Sequence, residues 1–368
     1  MIISQITLYH LRMRLQSPFE TSFGRTQERE CILLEAQTEE LVGYGECVAD
    51  KDPGYSYETT GTAWHILKDF LVPTILNQDI LSIQDFQNRI AHVRGHPMAK
   101  AGLEMVYWDL LGKREGRNFQ ELIGGKGDQV QVGVSIGIQE SPDALVGVVG
   151  DYLDQGYGRV KLKIKPGRDI PDVQAVRDEF PDLRMQVDAN SAYDLDSAQG
   201  LLPLDQLNLL MIEQPLAEDD LWDHSRLQVQ FKTPICLDES IVTLRHARQA
   251  LDMNACRVVN IKPGRVGGLS QAVAIHDLCL AENVPVWCGG MLETGVGRAA
   301  NLALASLPGF VFPGDISATD RYYAEDITNE RFELNQDSTI DVPDKPGLGI
   351  TIDTQALKRA TVNRVTIG

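Results

Sequence analysis

Five ionisable residues, Lys163, Asp188, Glu213, Asp238 and Lys262, each fall at the end of an apolar run: RVKLKI, LRMQVDA, LLMIEQP, PICLDES and CRVVNIK. They follow one another at intervals of 25, 25, 25 and 24 residues. One strand-helix unit is about that long, so the five are expected at equivalent positions on successive parallel strands, at the rim where barrel active sites are built. A lone carboxylate at a strand end often caps a helix, and Asp188 in VDANSAY and Asp238 in LDES can each do so. Glu213 is harder to read that way, because Met211-Ile212-Glu213-Gln214-Pro215 sets an acid near a proline in a buried strand. Three carboxylates converging on one rim repel one another unless a cation lies between them. Oxygen-only ligands suit a hard ion, Mg²⁺ first and Mn²⁺ as the alternative.

The lysines frame that centre. Lys161, Lys163 and Lys165 alternate with Val160, Leu162 and Ile164, so the three ammonium groups share one side of a buried strand. Lys161 and Lys163 are expected to face the barrel mouth. Lys262 is four units further round an eightfold ring, so a carboxylate substrate held by the metal lies between Lys163 and Lys262. This pattern suits removal of a proton alpha to a carboxylate, since a divalent cation and ammonium groups stabilise the resulting enediolate. A lysine serves as base only when its pKa falls toward neutrality. Crowding by Lys161, Lys163 and the metal is expected to promote this, with Arg265 acting in the same way on Lys262.

Residues 1–125 read as an α+β domain. Three strand-like runs, IISQITLYHLRMRL, ECILLEAQTE and LVGYGECV, precede helical spacing from Thr59 to Leu122. Ser17–Arg25 and Asp50–Tyr57 read as turn-rich loops carrying aromatics. From 126 to 319, eight short strands ending with FVFPGD alternate with amphipathic helices, which implies a parallel barrel. The remaining residues, about 320–368, include RFELNQDSTIDV and GITID, which look like strands returning to the first domain.

Composition narrows the partners. Lys and Arg total 34 against 52 Asp and Glu, a net charge of −18, which argues against nucleic acid or an anionic membrane. The hydrophobic fraction of 43% is ordinary for a globular enzyme. The six cysteines form no C-x-x-C pair and fall mostly in apolar runs, as buried free thiols do in a reducing compartment. The amino-terminal run lacks the pattern of a secretion signal, and no apolar stretch is long enough for a membrane span. A cytoplasmic protein is expected.

KLKIKPG, VDANSAY, IEQPL, CLDES and NIKPGRVGG resemble the motifs of the enolase superfamily, in its muconate-lactonizing-enzyme subgroup. The longer runs, including PVWCGGMLETGVGRAANLALASLP, are similar to those of the o-succinylbenzoate synthases and N-succinylamino acid racemases across nearly the whole chain. The resemblance implies a (β/α)₇β TIM-type barrel under an α+β capping domain built from both ends of the chain. It implies Mg²⁺ on Asp188, Glu213 and Asp238, with Lys163 and Lys262 as catalytic groups and a small succinyl carboxylate as substrate. It also implies that the two aromatic loops close over the substrate. Phe19, Phe23 and Tyr55 are then candidates for apolar contacts, while Ser135, Lys161, Gly289, Gly290 and Met291 line the pocket. Asn190 and Glu239 look like groups that orient the ligands. A homo-oligomer is implied as well. Dehydration of a succinyl-bearing cyclohexadiene carboxylate and racemisation of N-succinylamino acids both remain open. A dipeptide epimerase and a non-catalytic binding barrel are the lesser alternatives.

Overall fold

The computed structural model describes residues 1–368. Strands Gln5–Thr21, Gly24–Gln37 and Val42–Cys47 pair antiparallel in sequence order. Alternation of side chains gives this sheet two different faces. Tyr9, Leu11, Met13, Leu15, Cys31 and Leu33 join the barrel core, while Ile6, Leu8, Ile32, Leu34 and Ala36 join a separate core with the capping helices. The sheet is therefore a shared wall between two hydrophobic interiors.

The helical region contains Thr60–Ile66, Ile83–Ile90 and the long helix Pro97–Glu115. Pro97 opens the last, where its missing N–H costs nothing, and Gly116 ends it in a left-handed conformation (φ 68°). The Glu58 carboxylate accepts hydrogen bonds from the free N–H groups of Met98 (2.6 Å) and Ala99 (3.2 Å). This ties the end of the 50s segment to the helix.

Seven parallel strands form the second sheet: Val134–Ile136, Arg159–Lys163, Arg184–Asp188, Ile212–Glu213, Ile235–Leu237, Val258–Ile261 and Val286–Cys288. We refer to them as the first to seventh barrel strands. Helices between them begin at side-chain caps, such as Ser141 before Pro142–Asp154 and Thr243 before Leu244–Asp252. FVFPGD, expected as an eighth strand, is not a regular one. It joins the sheet's two edges through single pairings, Phe310 with Val286 and Gly314 with Val132. The Asp315 N–H also donates to Cys288 O at 2.8 Å. Pro313 has no N–H to give, which interrupts a regular ladder here.

Two further expectations are corrected at the C-terminal end. Within RFELNQDSTIDV only Thr339–Asp341 is a strand, and it pairs with Gln129–Gln131 beside the barrel rather than with the first domain. GITID holds only one isolated pairing, Ile352 with Thr328. The strand that does return is Thr361–Ile367, which pairs antiparallel with Gln5–Thr21. Only three of the seven residues of TVNRVTI are apolar and none is fully buried, because the strand lies at the sheet's exposed edge. The segment Ser17–Arg25 is also not an open loop. The first two strands run nearly through it and turn at Ser22-Phe23, forming a long hairpin.

Candidate active site

The hairpin and the Asp50–Tyr57 segment arch over the C-terminal ends of the barrel strands and enclose a cavity of about 380 Å³. The two meet at Phe23, whose ring packs so closely on Gly54 that a Cβ there would lie 2.6 Å from it. The Ser22 hydroxyl donates to Asn190 O at 3.1 Å, and Lys165 reaches Glu20 at 3.2 Å. Lys165 thus fastens the hairpin to the barrel and stays out of the centre.

Phe19, Phe23, Tyr55, Ser135, Lys161, Lys163, Lys262, Gly290 and Met291 all line the cavity. Gly289, expected there too, does not. It is a spacer under the wall, since a Cβ would come within 2.5 Å of both the Asn260 amide and the Lys262 side chain. Tyr55 contributes more than the apolar contact expected of it. Its hydroxyl donates to Asp238 Oδ1 at 2.8 Å and accepts from Lys262 Nζ at 3.0 Å.

Asp188, Glu213 and Asp238 end or follow the third, fourth and fifth strands and have no solvent exposure. Each is held by a neighbour. Lys163 Nζ lies 2.6 Å from Asp188 Oδ2, and Lys161 Nζ lies 3.0 Å from both Asp188 and Glu213. Asp238 receives Lys262 at 2.7 Å and Arg265 by a short contact. No three acidic side chains meet as a ready-made ligand cluster; ammonium and guanidinium groups occupy their oxygens instead.

The donor set nonetheless fits a hard divalent cation. Burial, and then repulsion from Asp188, push the Glu213 carboxyl up to about 8 even with Lys161 beside it. Asp238 is held down at about 2, since Lys262 and Arg265 overcome the opposing effect of burial. Glu239 Oε2 is buried without any hydrogen-bond partner. A buried acceptor oxygen is therefore left unpaired beside the three carboxylates, and all of the acidic donors are oxygens.

Two of the lysines are shifted away from neutrality by their carboxylate partners. Burial does work in that direction on Lys161, but Asp315, Glu213 and Asp188 outweigh it and hold the group well above the usual lysine value. Asp238 does the same for Lys262, and Arg265 spends its charge on Asp238 instead of crowding Lys262.

Asn190 lines the cavity and bridges two groups, accepting from Lys163 at 2.6 Å and donating to Glu239 Oε1 at 2.8 Å. Three contributors were missed from sequence. Asn260 donates to Glu213 Oε1 at 2.6 Å; it stands two residues before Lys262, so strand alternation could have placed it on the same side. Gln214 Oε1 accepts from the Asp238 N–H at 2.9 Å, with its own backbone left-handed at φ 37°. Asp315 contacts Lys161 at 2.6 Å, and its position at the end of FVFPGD was the available signal. In the cavity wall, Leu292 is also left-handed, at φ 57°, an uncommon state for a large side chain. It is held by Tyr323, whose hydroxyl donates to Leu292 O at 2.6 Å.

Comparison with known proteins agrees with this architecture. Residues 3–124 match the mandelate racemase / muconate lactonizing enzyme N-terminal domain, and residues 145–356 match the enolase C-terminal domain-like family. The chain therefore belongs to the mandelate racemase / muconate lactonizing enzyme family of the enolase superfamily. It is 49% identical to an o-succinylbenzoate synthase of Geobacillus kaustophilus, over 98% of this chain and 96% of that protein. It is 47% identical to an N-succinylamino acid racemase of Amycolatopsis sp, over the whole of both. Among solved structures, an enolase superfamily member from Listeria innocua superposes with a TM-score of 0.95 at 44% identity, over 100% of this chain and 99% of that one. No helix is long and apolar enough to cross a membrane.

Proposed function

We propose that this protein is an o-succinylbenzoate synthase, which eliminates water from 2-succinyl-6-hydroxy-2,4-cyclohexadiene-1-carboxylate to give 2-succinylbenzoate, a step of menaquinone biosynthesis. The observation that carries this reading is the pair of buried lysines, Lys163 on the second strand and Lys262 after the sixth, facing one cavity above three buried carboxylates. Full-length relatives of that name, at 49% identity, support it.

In this reading Asp188, Glu213 and Asp238 hold Mg²⁺, with Mn²⁺ as a substitute. The cation supplies charge that stabilises the enediolate formed when the substrate loses its alpha proton. Lys163 takes that proton and returns one to the departing hydroxide, so that water leaves. Lys262, hydrogen-bonded to Asp238 and Tyr55, steadies the developing negative charge as a cation. Lys161 and Ser135 meet the substrate carboxylate. Phe19, packed on Tyr322 and near Lys163, keeps water away from the reacting carbon.

N-Succinylamino acid racemisation is the second reading, favoured by the placement of the lysines on opposite sides and by the 47% identical relative of that name. Both substrates carry a succinyl arm and a carboxylate beside the acidic carbon. Turnover of both by the purified, Mg²⁺-loaded protein is the deciding experiment. Failure on both would reject this assignment.

A further inference from the structure

Beside the three carboxylates, Arg159 and Asp315 are buried charges that the reaction above leaves without a role. Arg159 and Lys161 stand two residues apart on the second strand, so they share its inner side. Asp315 approaches from the segment that joins the edges of the sheet. Arg159 Nη1 donates to one Asp315 oxygen at 2.6 Å, and Lys161 Nζ lies 2.6 Å from the other. The second guanidinium nitrogen donates to Pro313 O at 2.7 Å. The Trp287 ring lies against both cations, 5.6 Å from Arg159 and 4.9 Å from Lys161. None of the three charged residues is more than 5% exposed.

Room has been made for this group. A Cβ at Gly133 would lie 2.4 Å from Arg159 Nε. Charges then alternate toward the carboxylates: Arg159, Asp315, Lys161, and finally the Asp188–Glu213 pair, which Lys161 meets at 3.0 Å on each side. Burying so many charges is costly unless each is paired in a fixed geometry. Arg159 stays protonated at any working pH and grips Asp315 firmly. Lys161 is flexible and, without a carboxylate behind it, would settle further onto Asp188 and Glu213.

We propose that Asp315, oriented by Arg159, is a positioning residue that shares the Lys161 ammonium with Asp188 and Glu213, limiting its pull on those two proposed metal ligands and keeping it ready for the substrate carboxylate. This rests on the reading of the centre as a metal and carboxylate site given above.

A double-mutant cycle tests it, with Asp315→Asn and Lys161→Met made singly and together, and with folding checked by thermal melts. Two affinities are measured: that for Mn²⁺, from its free-ion electron resonance signal, and that of the Mg²⁺-loaded protein for 2-succinylbenzoate. Asp315→Asn should weaken Mn²⁺ binding at least threefold and 2-succinylbenzoate binding at least tenfold. In the Lys161→Met background the same change should alter each by less than twofold, because Asp315 acts through Lys161. Equal losses in both backgrounds, or no loss in a folded Asp315→Asn protein, overturn the proposal. If Asp315→Asn does not fold, Arg159→Met/Asp315→Asn, which removes one charge of each sign, goes through the same cycle. Should the wild type bind Mn²⁺ but not 2-succinylbenzoate, the functional assignment fails, while the Mn²⁺ measurements still decide the role of Asp315.

Discussion

Tyr55 belongs to the capping region and Asp238 to the barrel, yet the Tyr55 hydroxyl donates to Asp238 Oδ1 at 2.8 Å. Closure of the 50s segment is thereby linked to the proposed third metal ligand. Removing this hydroxyl should disturb the centre without disturbing the fold. Hydrogen bonds to charged groups contribute about 1.5–3 kcal/mol, so Tyr55→Phe is expected to lower kcat/KM roughly ten- to a hundredfold. Steady-state kinetics on both succinyl substrates provide the check, and a wild-type kcat/KM would leave Tyr55 with only an apolar role.

The two lysines can be told apart. Arginine stays protonated and cannot act as a base. Lys163→Arg should therefore lose nearly all dehydration, while Lys262→Arg retains a measurable part. Either change should stop racemisation, which needs both groups. Each variant should still exchange the alpha proton of one enantiomer with solvent deuterium, visible by NMR. Dehydration at the wild-type rate by Lys163→Arg would show the base to be misassigned.

Metal dependence follows from the buried carboxylates. Exhaustive chelation should abolish turnover, and added Mg²⁺ or Mn²⁺ should restore it. The same ions should raise the melting temperature, since a ligand at a hundred times its Kd stabilises the folded state by about 2.7 kcal/mol. Undiminished activity after chelation contradicts the assignment.

Glu213 makes a pH-dependent prediction for the metal-free protein. Its carboxyl is pushed up to about 8 by burial and Asp188, against an ordinary value of 4.5. The folded state therefore holds a proton that the unfolded state releases, and stability from this group is present below about pH 4.5 and lost as pH rises toward 8. Glu58, raised to about 7 by burial, adds to the same slope. Thermal melts between pH 5 and 8 should show a smaller decline for Glu213→Gln than for wild type. Activity of that variant should nearly vanish. A metal-free Glu213→Gln protein much less stable than wild type at pH 8 would make Glu213 a structural residue.

The parts of this site that could be read in sequence are those repeated once per strand. Lys163, Asp188, Glu213, Asp238 and Lys262 recur at the length of a βα unit, and strand pairing aligns Lys163 with Asp188 and Asp188 with Glu213. Residues outside that rhythm were hidden. Asp315 ends FVFPGD, which reads as the eighth strand but stands apart from the five regularly spaced residues, and Gln214 acts through a left-handed backbone that no residue preference announces. The edge strand Thr361–Ile367 is hard to read because its apolar residues, Val362, Val365 and Ile367, do not alternate strictly with polar ones. The carboxylates that raise Lys161 and Lys262 arrive from other strands, so charges read along the sequence do not reveal them.

The pairing of Ile6 with Ile367 gives the capping sheet an order of assembly. Its first three strands leave the ribosome before any barrel strand, but the fourth follows all seven of them. During synthesis the cap must wait, with the Gln5–Thr21 edge unpaired, while the barrel beneath is built. The rigid cover over the catalytic centre is therefore completed after the centre itself. A nascent chain stalled before Thr361 would carry every proposed catalytic residue and still present an open edge, a natural point for chaperone capture or mispairing.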